Sequence, residues 1–306
     1  METTSNVIEV RNLTKIYNQT KVVNDVTFSV KKAEIFGFLG PNGAGKTTTI
    51  KAMLGLIFSE TGEIKINGLD INIYGKQVKK NIGYLPERVA FYDHLSALQN
   101  LMFYAELKNA SKHDCITLLE EYGLKDSMHK RVGKFSKGMT QRLGIARALL
   151  GNPSILILDE PAMGLDPRGA FQFKEKIKKL KQQGTTVFFS SHILSEVQEV
   201  CDKVGILNKG ILVAQDSVSA LGKRLQIKPM MKIELEKLSD SIVKYVKKVQ
   251  GVEKVEAIGN FLNVVCDSKI KAKVIIAIES AGGNIVNLQT EEASLEEVFM
   301  KITEEA

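Results

Sequence analysis

The segment Gly40-Pro41-Asn42-Gly43-Ala44-Gly45-Lys46-Thr47 matches the pattern GxxxxGK[ST] in full. It follows the apolar run Ile35 to Leu39 and opens a segment with helical patterning, the context in which such a motif cradles phosphates. Glycines there let successive backbone N–H groups turn inward, and no side chain blocks the approach of an anion. The helix N-terminus that follows adds its partial positive charge. Lys46 is placed to reach the outer phosphates, and the Thr47 hydroxyl to coordinate magnesium. A plain glycine-rich turn before a helix is the alternative, and it leaves the lysine and threonine unexplained.

A second constellation lies at Asp159-Glu160, which closes the apolar run Ile155-Leu156-Ile157-Leu158. A buried strand with two carboxylates at its C-terminal end delivers them to the ligand edge of an α/β sheet. Asp159 suits magnesium and Glu160 suits polarisation of an attacking water. Adjacent strand residues face opposite ways, so the strand must end here for both to serve one site. Pro161 supplies a reason for it to end. His192 follows the run Thr185 to Phe189 through Ser190-Ser191 and emerges at the same edge, placed to hydrogen-bond a phosphate or the water. His94, His113 and His129 read as surface or packing residues.

The elements that must hold these groups alternate as strand and helix up to about residue 215. Val7–Val10, Val22–Val30, Glu34–Leu39, Gly62–Ile66, Ile82–Leu85, Ile155–Leu158 and Thr185–Phe189 read as strands. Those apolar on both faces predict a parallel sheet covered on both sides. Helices are expected at Lys46–Leu56, Arg168–Lys181 and Leu194–Cys201, with a nearly all-helical insertion over about 88–150. Leu221 to Pro229 reads as a linker. Beyond it the order is strand, helix, strand, strand, helix, strand, the split-βαβ or ferredoxin-like arrangement. A last amphipathic helix, Ser294–Ile302, carries Ser294 and Glu297 at capping-box spacing. The domains are therefore set at 1–222 and 230–306.

Composition narrows the class. Of 306 residues, 44% are hydrophobic and 25% charged, an ordinary globular balance. Three scattered cysteines without a CxxC argue against a disulfide framework or zinc site and fit a reducing cytoplasm. No stretch approaches the ~18 apolar residues of a membrane span, and no secretory signal is evident, so a membrane role would come through a partner. Leu221 to Ala306 holds 13 basic and 13 acidic residues, so the net charge of +7 lies in the preceding part. That excess suits polyanionic ligands, and equally a slightly basic solvated surface.

Phe135-Ser136-Lys137-Gly138-Met139-Thr140-Gln141-Arg142 precedes the acid-pair strand and resembles the signature segment of ABC transporter nucleotide-binding subunits, usually LSGGQ. The resemblance runs from about Ile8 to Leu221. It implies a P-loop NTPase core with a mixed sheet, an inserted helical subdomain and an antiparallel N-terminal β part. It implies ATP and Mg2+ as ligands, with Gly40–Thr47 and Thr48 on the phosphates and Tyr17 stacking on adenine. Ser136, Lys137, Gly138 and Met139 would clamp ATP held by a second subunit. Lys46, Glu160 and His192 would serve catalysis, and Thr47, Glu87 and Asp159 the metal. Asp166, in Gly164-Leu165-Asp166-Pro167, falls in the D-loop position.

Several positions depart from the common pattern. Glu87 stands where the family usually has glutamine, Lys137 and Met139 vary the signature, and Ala162-Met163 replaces a polar pair. These variants, with the tail Ser294–Phe299, resemble the branch serving ABC-2-type exporters. The implied partners are a like ATPase subunit in a head-to-tail homodimer or heterodimer and separate ABC-2-type membrane permease subunits. Phe91 and Tyr92 are the docking candidates. No nucleic acid is expected, and the location would be cytoplasmic, peripheral on the inner face of the cell membrane.

Two other readings compete. A soluble ABC-type ATPase acting on nucleic acid or ribosomes would normally carry paired cassettes or long coiled coils, and this chain has neither pattern. A small GTPase would want an NKxD segment, which Asn208-Lys209-Gly210-Ile211 lacks. Within the exporter reading, Leu85-Pro86-Glu87 with Ala90-Phe91-Tyr92 also resembles a copper-handling transporter.

Overall fold

Runs of β-branched and aromatic residues set the frame of the molecule. The computed structural model describes residues 5–225, 227–291 and 294–304. They divide into two units, Met1–Gln215 and Asp216–Ala306. In the first unit the chain runs β1 (Asn6–Tyr17), β2 (Thr20–Lys31), β3 (Ile35–Leu39), α1 (Lys46–Met53), β4 (Thr61–Ile66), β5 (Leu69–Asp70), α2 (Ile71–Lys80) and β6 (Ile82–Leu85). It continues with α3 (Ala97–Lys108), α4 (Lys112–Glu121), α5 (Lys137–Ala148), β7 (Ile155–Asp159), α6 (Pro167–Gln182), β8 (Thr186–Ser191), α7 (Leu194–Gln198), β9 (Lys203–Asn208) and β10 (Ile211–Asp216).

Two sheets result. One is the antiparallel N-terminal sheet, in the order β2-β1-β4-β5; the other is six-stranded, β10-β9-β3-β8-β7-β6. Within the larger sheet β3 runs parallel to β8 and β9, and β7 runs parallel to β6 and β8. Every residue of β3, β7 and β8 is buried, as a sheet covered on both faces requires. Phe28 of β2 stacks on Phe36 and Phe188 at 5.7 Å between ring centroids, which joins the two sheets through one core. Each such ring contributes roughly 1.5–3 kcal/mol by leaving water.

The helical insertion is delimited by capping rather than by periodicity. Ser96 with Gln99 and Ser111 with Asp114 form capping boxes at α3 and α4, and Ser136 caps α5. Asn100, fully buried, donates to the Tyr92 and Ser96 carbonyls and accepts from the Tyr92 N–H, pinning the loop before α3. Sequence patterning missed α2, β9 and β10. The β9–β10 turn at Lys209–Gly210 has positive φ at both residues, the geometry that joins adjacent strands in two residues.

The second unit holds α8 (Val218–Arg224), β11 (Met230–Leu235), α9 (Asp240–Lys247), β12 (Val252–Ile258), β13 (Phe261–Cys266), α10 (Lys271–Ser280), β14 (Ile285–Glu291) and α11 (Leu295–Glu304). Its sheet has the order β12-β13-β11-β14, antiparallel throughout. Alternate residues Met231, Ile233, Leu262 and Val264 pack against Ile242, Val246, Val274 and Ile278 of the two covering helices. The division falls at Gln215/Asp216, earlier than the boundary at 222 that the sequence suggested, and the expected linker is partly helix. Ser217 caps α8 by accepting from the Ala220 N–H, and Leu221 is buried, so this stretch is packed structure.

Candidate active site

Glycines build the phosphate loop between β3 and α1. Gly43 and Gly45 have φ of 80° and 105°, where a side chain would be strained. A Cβ on Gly40 would lie 2.3 Å from the Leu207 carbonyl oxygen, and one on Gly45 would lie 2.6 Å from that of Val22. The loop is braced from the side as well, since the Gly210 N–H in the β9–β10 turn donates to the Ala44 carbonyl at 3.0 Å. Lys46 is 6% exposed and turned into the loop. Its Nζ donates to the Gly40 carbonyl at 2.8 Å and lies 3.3 Å from Glu160 Oε1.

The acid pair sits where β7 ends. Asp159 is its last residue, and Glu160 turns out of the strand with φ of 51°, a left-handed conformation that is uncommon away from glycine. That turn lets the two neighbouring carboxylates approach one cleft. Ser190, at the end of β8, ties them together: its Oγ donates to Asp159 Oδ1 at 2.6 Å and accepts from the Glu160 N–H at 3.0 Å. Glu160 Oε2 lies 2.8 Å from His192 Nδ1. An ionised carboxylate only accepts, so with Glu160 charged the proton of this bond sits on Nδ1 and Nε2 is left for a ligand.

Asp159 is wholly buried, and its Oδ2 has no hydrogen-bond partner among the described residues. Burial pushes its carboxyl above the ordinary value; the Ser190 and Thr47 hydroxyls pull it back, and the Glu87 and Glu160 carboxylates add to the rise. An unfolded Asp159 ionises at lower pH than the folded one. Stability therefore falls as pH rises from the unfolded to the folded value. Asp159→Asn removes the charge and keeps an acceptor for Ser190. It is expected to raise the thermal midpoint of the nucleotide-free protein more at pH 7 than near pH 3, where the carboxyl of the parent is itself protonated in the folded state. Differential scanning calorimetry at the two pH values checks this.

A cleft of about 370 Å³ opens over these groups. The phosphate loop from Asn42 to Thr48 lines it together with Val22, Glu87, Glu160, Met163 and His192. Gly40 and Pro41 lie behind it as acceptors for Lys46.

The chain spans 72% of the bacitracin transport ATP-binding protein BcrA of Bacillus licheniformis and is 45% identical to it over 222 residues, 72% of this chain. It belongs to the ABC transporter family, as an ATP-binding subunit. The family model described as "ABC transporter" matches residues 23–163. The linearmycin resistance ATP-binding protein LnrL of Bacillus subtilis is 31% identical over 305 residues, 97% of this chain and 98% of that protein. A solved structure described as "Structure of ATP binding subunit of ABC transporter" superposes with a TM-score of 0.68 at 32% identity, covering 72% of this chain and 93% of that one. The first unit thus has the ABC ATPase fold, and the protein is an ATPase that hydrolyses ATP for transport.

Other motif residues of this ABC subunit lie outside the cleft. Tyr17 ends β1, is 44% exposed and carries Lys15 Nζ 5.1 Å from its ring centroid; Val22, in the paired strand β2, is the part of this hairpin that lines the cleft. Ser136 accepts from the Met139 N–H at 3.2 Å as the cap of α5, whose first turn is Lys137-Gly138-Met139; none of these four lines the cleft. Asp166 caps α6 by accepting from the Gly169 N–H at 2.7 Å. Two residues that sequence reasoning passed over join the arrangement. Ser190 is the hinge of the acid pair, and Gln141, 6% exposed, donates from Nε2 to the Pro161 carbonyl at 2.9 Å. A polar residue closing an apolar strand, and a glutamine beside the signature, were the signals.

Proposed function

We propose that this subunit hydrolyses magnesium-ATP in the cleft between the phosphate loop and Glu160, and that the cycle drives export through separate ABC-2-type membrane subunits. The observation that carries the hydrolytic reading is Glu160, held between Lys46 and His192 at the cleft wall. When phosphates enter, Lys46 exchanges the Gly40 and Pro41 carbonyls for phosphate oxygens, and Glu160 is released to accept a proton from water. His192 keeps Glu160 oriented through Nδ1 and offers Nε2 to the phosphate or the water. Thr47, Asp159 and Glu87 would hold magnesium, which would supply neutralisation of phosphate charge. The orphaned Asp159 Oδ2 suits it. Among the described residues no cluster of three or more His, Cys, Asp or Glu forms a ready metal cage, which is in keeping with an ion held largely by substrate and water.

Ser136, Lys137, Gly138 and Met139 form a helix N-terminus with phosphate-clamp chemistry away from their own chain's cleft, and this supports a head-to-tail pair of subunits. Tyr17, on the hairpin that borders the cleft, stacks on adenine, and Asp166 keeps the D-loop ordered at the start of α6. Export of an antibiotic-like compound follows the two relatives named for bacitracin transport and linearmycin resistance. The second unit reads as a ferredoxin-like accessory module, from its strand order and its two covering helices.

No described helix is long and apolar enough to cross a membrane, so the chain would sit on the inner face by docking. An apolar groove of about 300 Å³ includes Leu54, Leu56, Tyr84, Tyr104 and Leu107. Of the docking residues expected from sequence, Phe91 is engaged internally, edge-on to Tyr104 and 5.0 Å from the Arg147 guanidinium, whereas Tyr92 remains 44% exposed. The groove is the better docking site. Leu107 is 75% exposed, so Leu107→Asp should leave the thermal midpoint unchanged. It should weaken recovery with the membrane subunits by roughly 10–100-fold, the loss of about 1.5–3 kcal/mol of apolar burial. Quantitative co-purification from membranes tests this, and unchanged recovery would sink the groove assignment.

A further inference from the structure

Glu160 keeps a left-handed backbone, φ 51°, which costs roughly 1–2 kcal/mol in a residue with a Cβ. Such a conformation persists only where the surroundings over-determine it. Here the turn is held on two sides. Before it, the Glu160 N–H donates to Ser190 Oγ at 3.0 Å; after it, the Pro161 carbonyl accepts from Gln141 Nε2 at 2.9 Å. Both bonds are buried, where an unmade hydrogen bond is expensive and a made one is directional.

Gln141 comes from a different element. It lies on α5, the helix that Ser136 caps, little more than one turn from that cap. The same helix touches the segment after Glu160 a second time, because a Cβ on Gly138 would lie 3.2 Å from the Gly164 carbonyl oxygen. Between these contacts the segment folds on itself, with the Met163 N–H donating to the Glu160 carbonyl at 3.1 Å and the Leu165 N–H to the Ala162 carbonyl at 3.1 Å. α5 thus meets the peptide beside Glu160 through a short path of contacts.

We propose that Gln141 is a positioning residue for Glu160, transmitting the placement of α5 to the carboxylate of its own chain. Gln141 does not line the cleft. When Ser136 engages a phosphate held by a second copy, α5 is drawn into register and the Pro161 carbonyl with it, which aims Glu160 within its own cleft. This rests on the reading of Glu160 as the base.

The test uses the full chain with Gln141→Met, similar in length but without a donor, and Gln141→Glu, similar in shape but an acceptor when ionised. Steady-state kcat and KM for ATP, binding of a fluorescent ATP analogue and thermal midpoints are measured for both, alone and combined with Glu160→Gln. Expected is a kcat lowered roughly 10–100-fold, the scale of a misplacement near 1 Å, with KM and analogue affinity within about threefold of the parent. The residual rate of Glu160→Gln should not fall further when Gln141→Met is added. Wild-type kcat in Gln141→Met, full multiplicativity of the two losses, or loss of the fold in both Gln141 variants would each overturn the proposal. If Glu160→Gln alone sustains turnover, the base reading fails instead, so the two failures are separable.

Discussion

Glu160→Gln is expected to lower ATP turnover by about 10²–10⁴-fold, the usual contribution of a general base, while ATP binding is kept or tightened. The substitution preserves side-chain volume, and the amide oxygen can still accept from His192 Nδ1, which lies 2.8 Å from Glu160 Oε2. What it removes is the basicity that accepts the water proton. It also removes one negative charge from a cleft that takes a polyanion and already carries Glu87 and Asp159 nearby. Binding therefore has no reason to weaken, and a pair of subunits closed on ATP should accumulate. Phosphate release under saturating magnesium-ATP, set beside equilibrium binding of labelled ATP and the elution volume with and without nucleotide, reads all three. Sustained turnover would remove Glu160 from the chemistry.

Lys46→Ala should act at the opposite point, abolishing binding before chemistry is reached. A buried charge-assisted hydrogen bond contributes roughly 1.5–3 kcal/mol, and Lys46 is placed to make more than one with phosphate oxygens. The affinity for ATP should drop by about 100-fold or more. The nucleotide-free protein should suffer too. Lys46 Nζ now donates to the Gly40 and Pro41 carbonyls and faces Glu160 Oε1, so its removal strands two acceptors and a carboxylate in a largely buried setting. A lower thermal midpoint without nucleotide and lost ATP protection are both expected, by calorimetry and by titration. Retained affinity would mean that the loop backbone alone holds the phosphates.

Much of this was readable along the chain, and the reasons differ from element to element. The phosphate loop was legible because glycine chemistry is local: the conformations at Gly43 and Gly45 exclude most residues wherever the loop is set. The β7 strand and its acid pair were legible because four consecutive buried apolar residues, Ile155–Leu158, lead straight into the two carboxylates. The missed β9–β10 hairpin reads as a strand pair only once Gly210 is seen bracing Ala44. The compact units divide at Gln215/Asp216, before the position 222 read from the sequence, and α8 is a short helix whose seven residues carry too little periodicity to announce it.

The sequence by itself determined which groups are present and how each sits on its own element: a lysine at the start of α1, carboxylates at the end of β7, a serine capping α5. Those assignments depend on backbone propensity, side-chain period and capping, interactions that reach only a few residues along the chain. The tertiary structure decided which of them meet. Setting β8 between β3 and β7 brings Ser190 and His192 to the acid pair and Lys46 to Glu160, and it leaves Tyr17 and Ser136–Met139 off the cleft. It also lays α5 where Gln141 reaches Pro161. Lateral strand order and helix placement are set by burial of apolar faces between residues far apart in the chain, such as Phe28 against Phe188, and no local pattern encodes that distance.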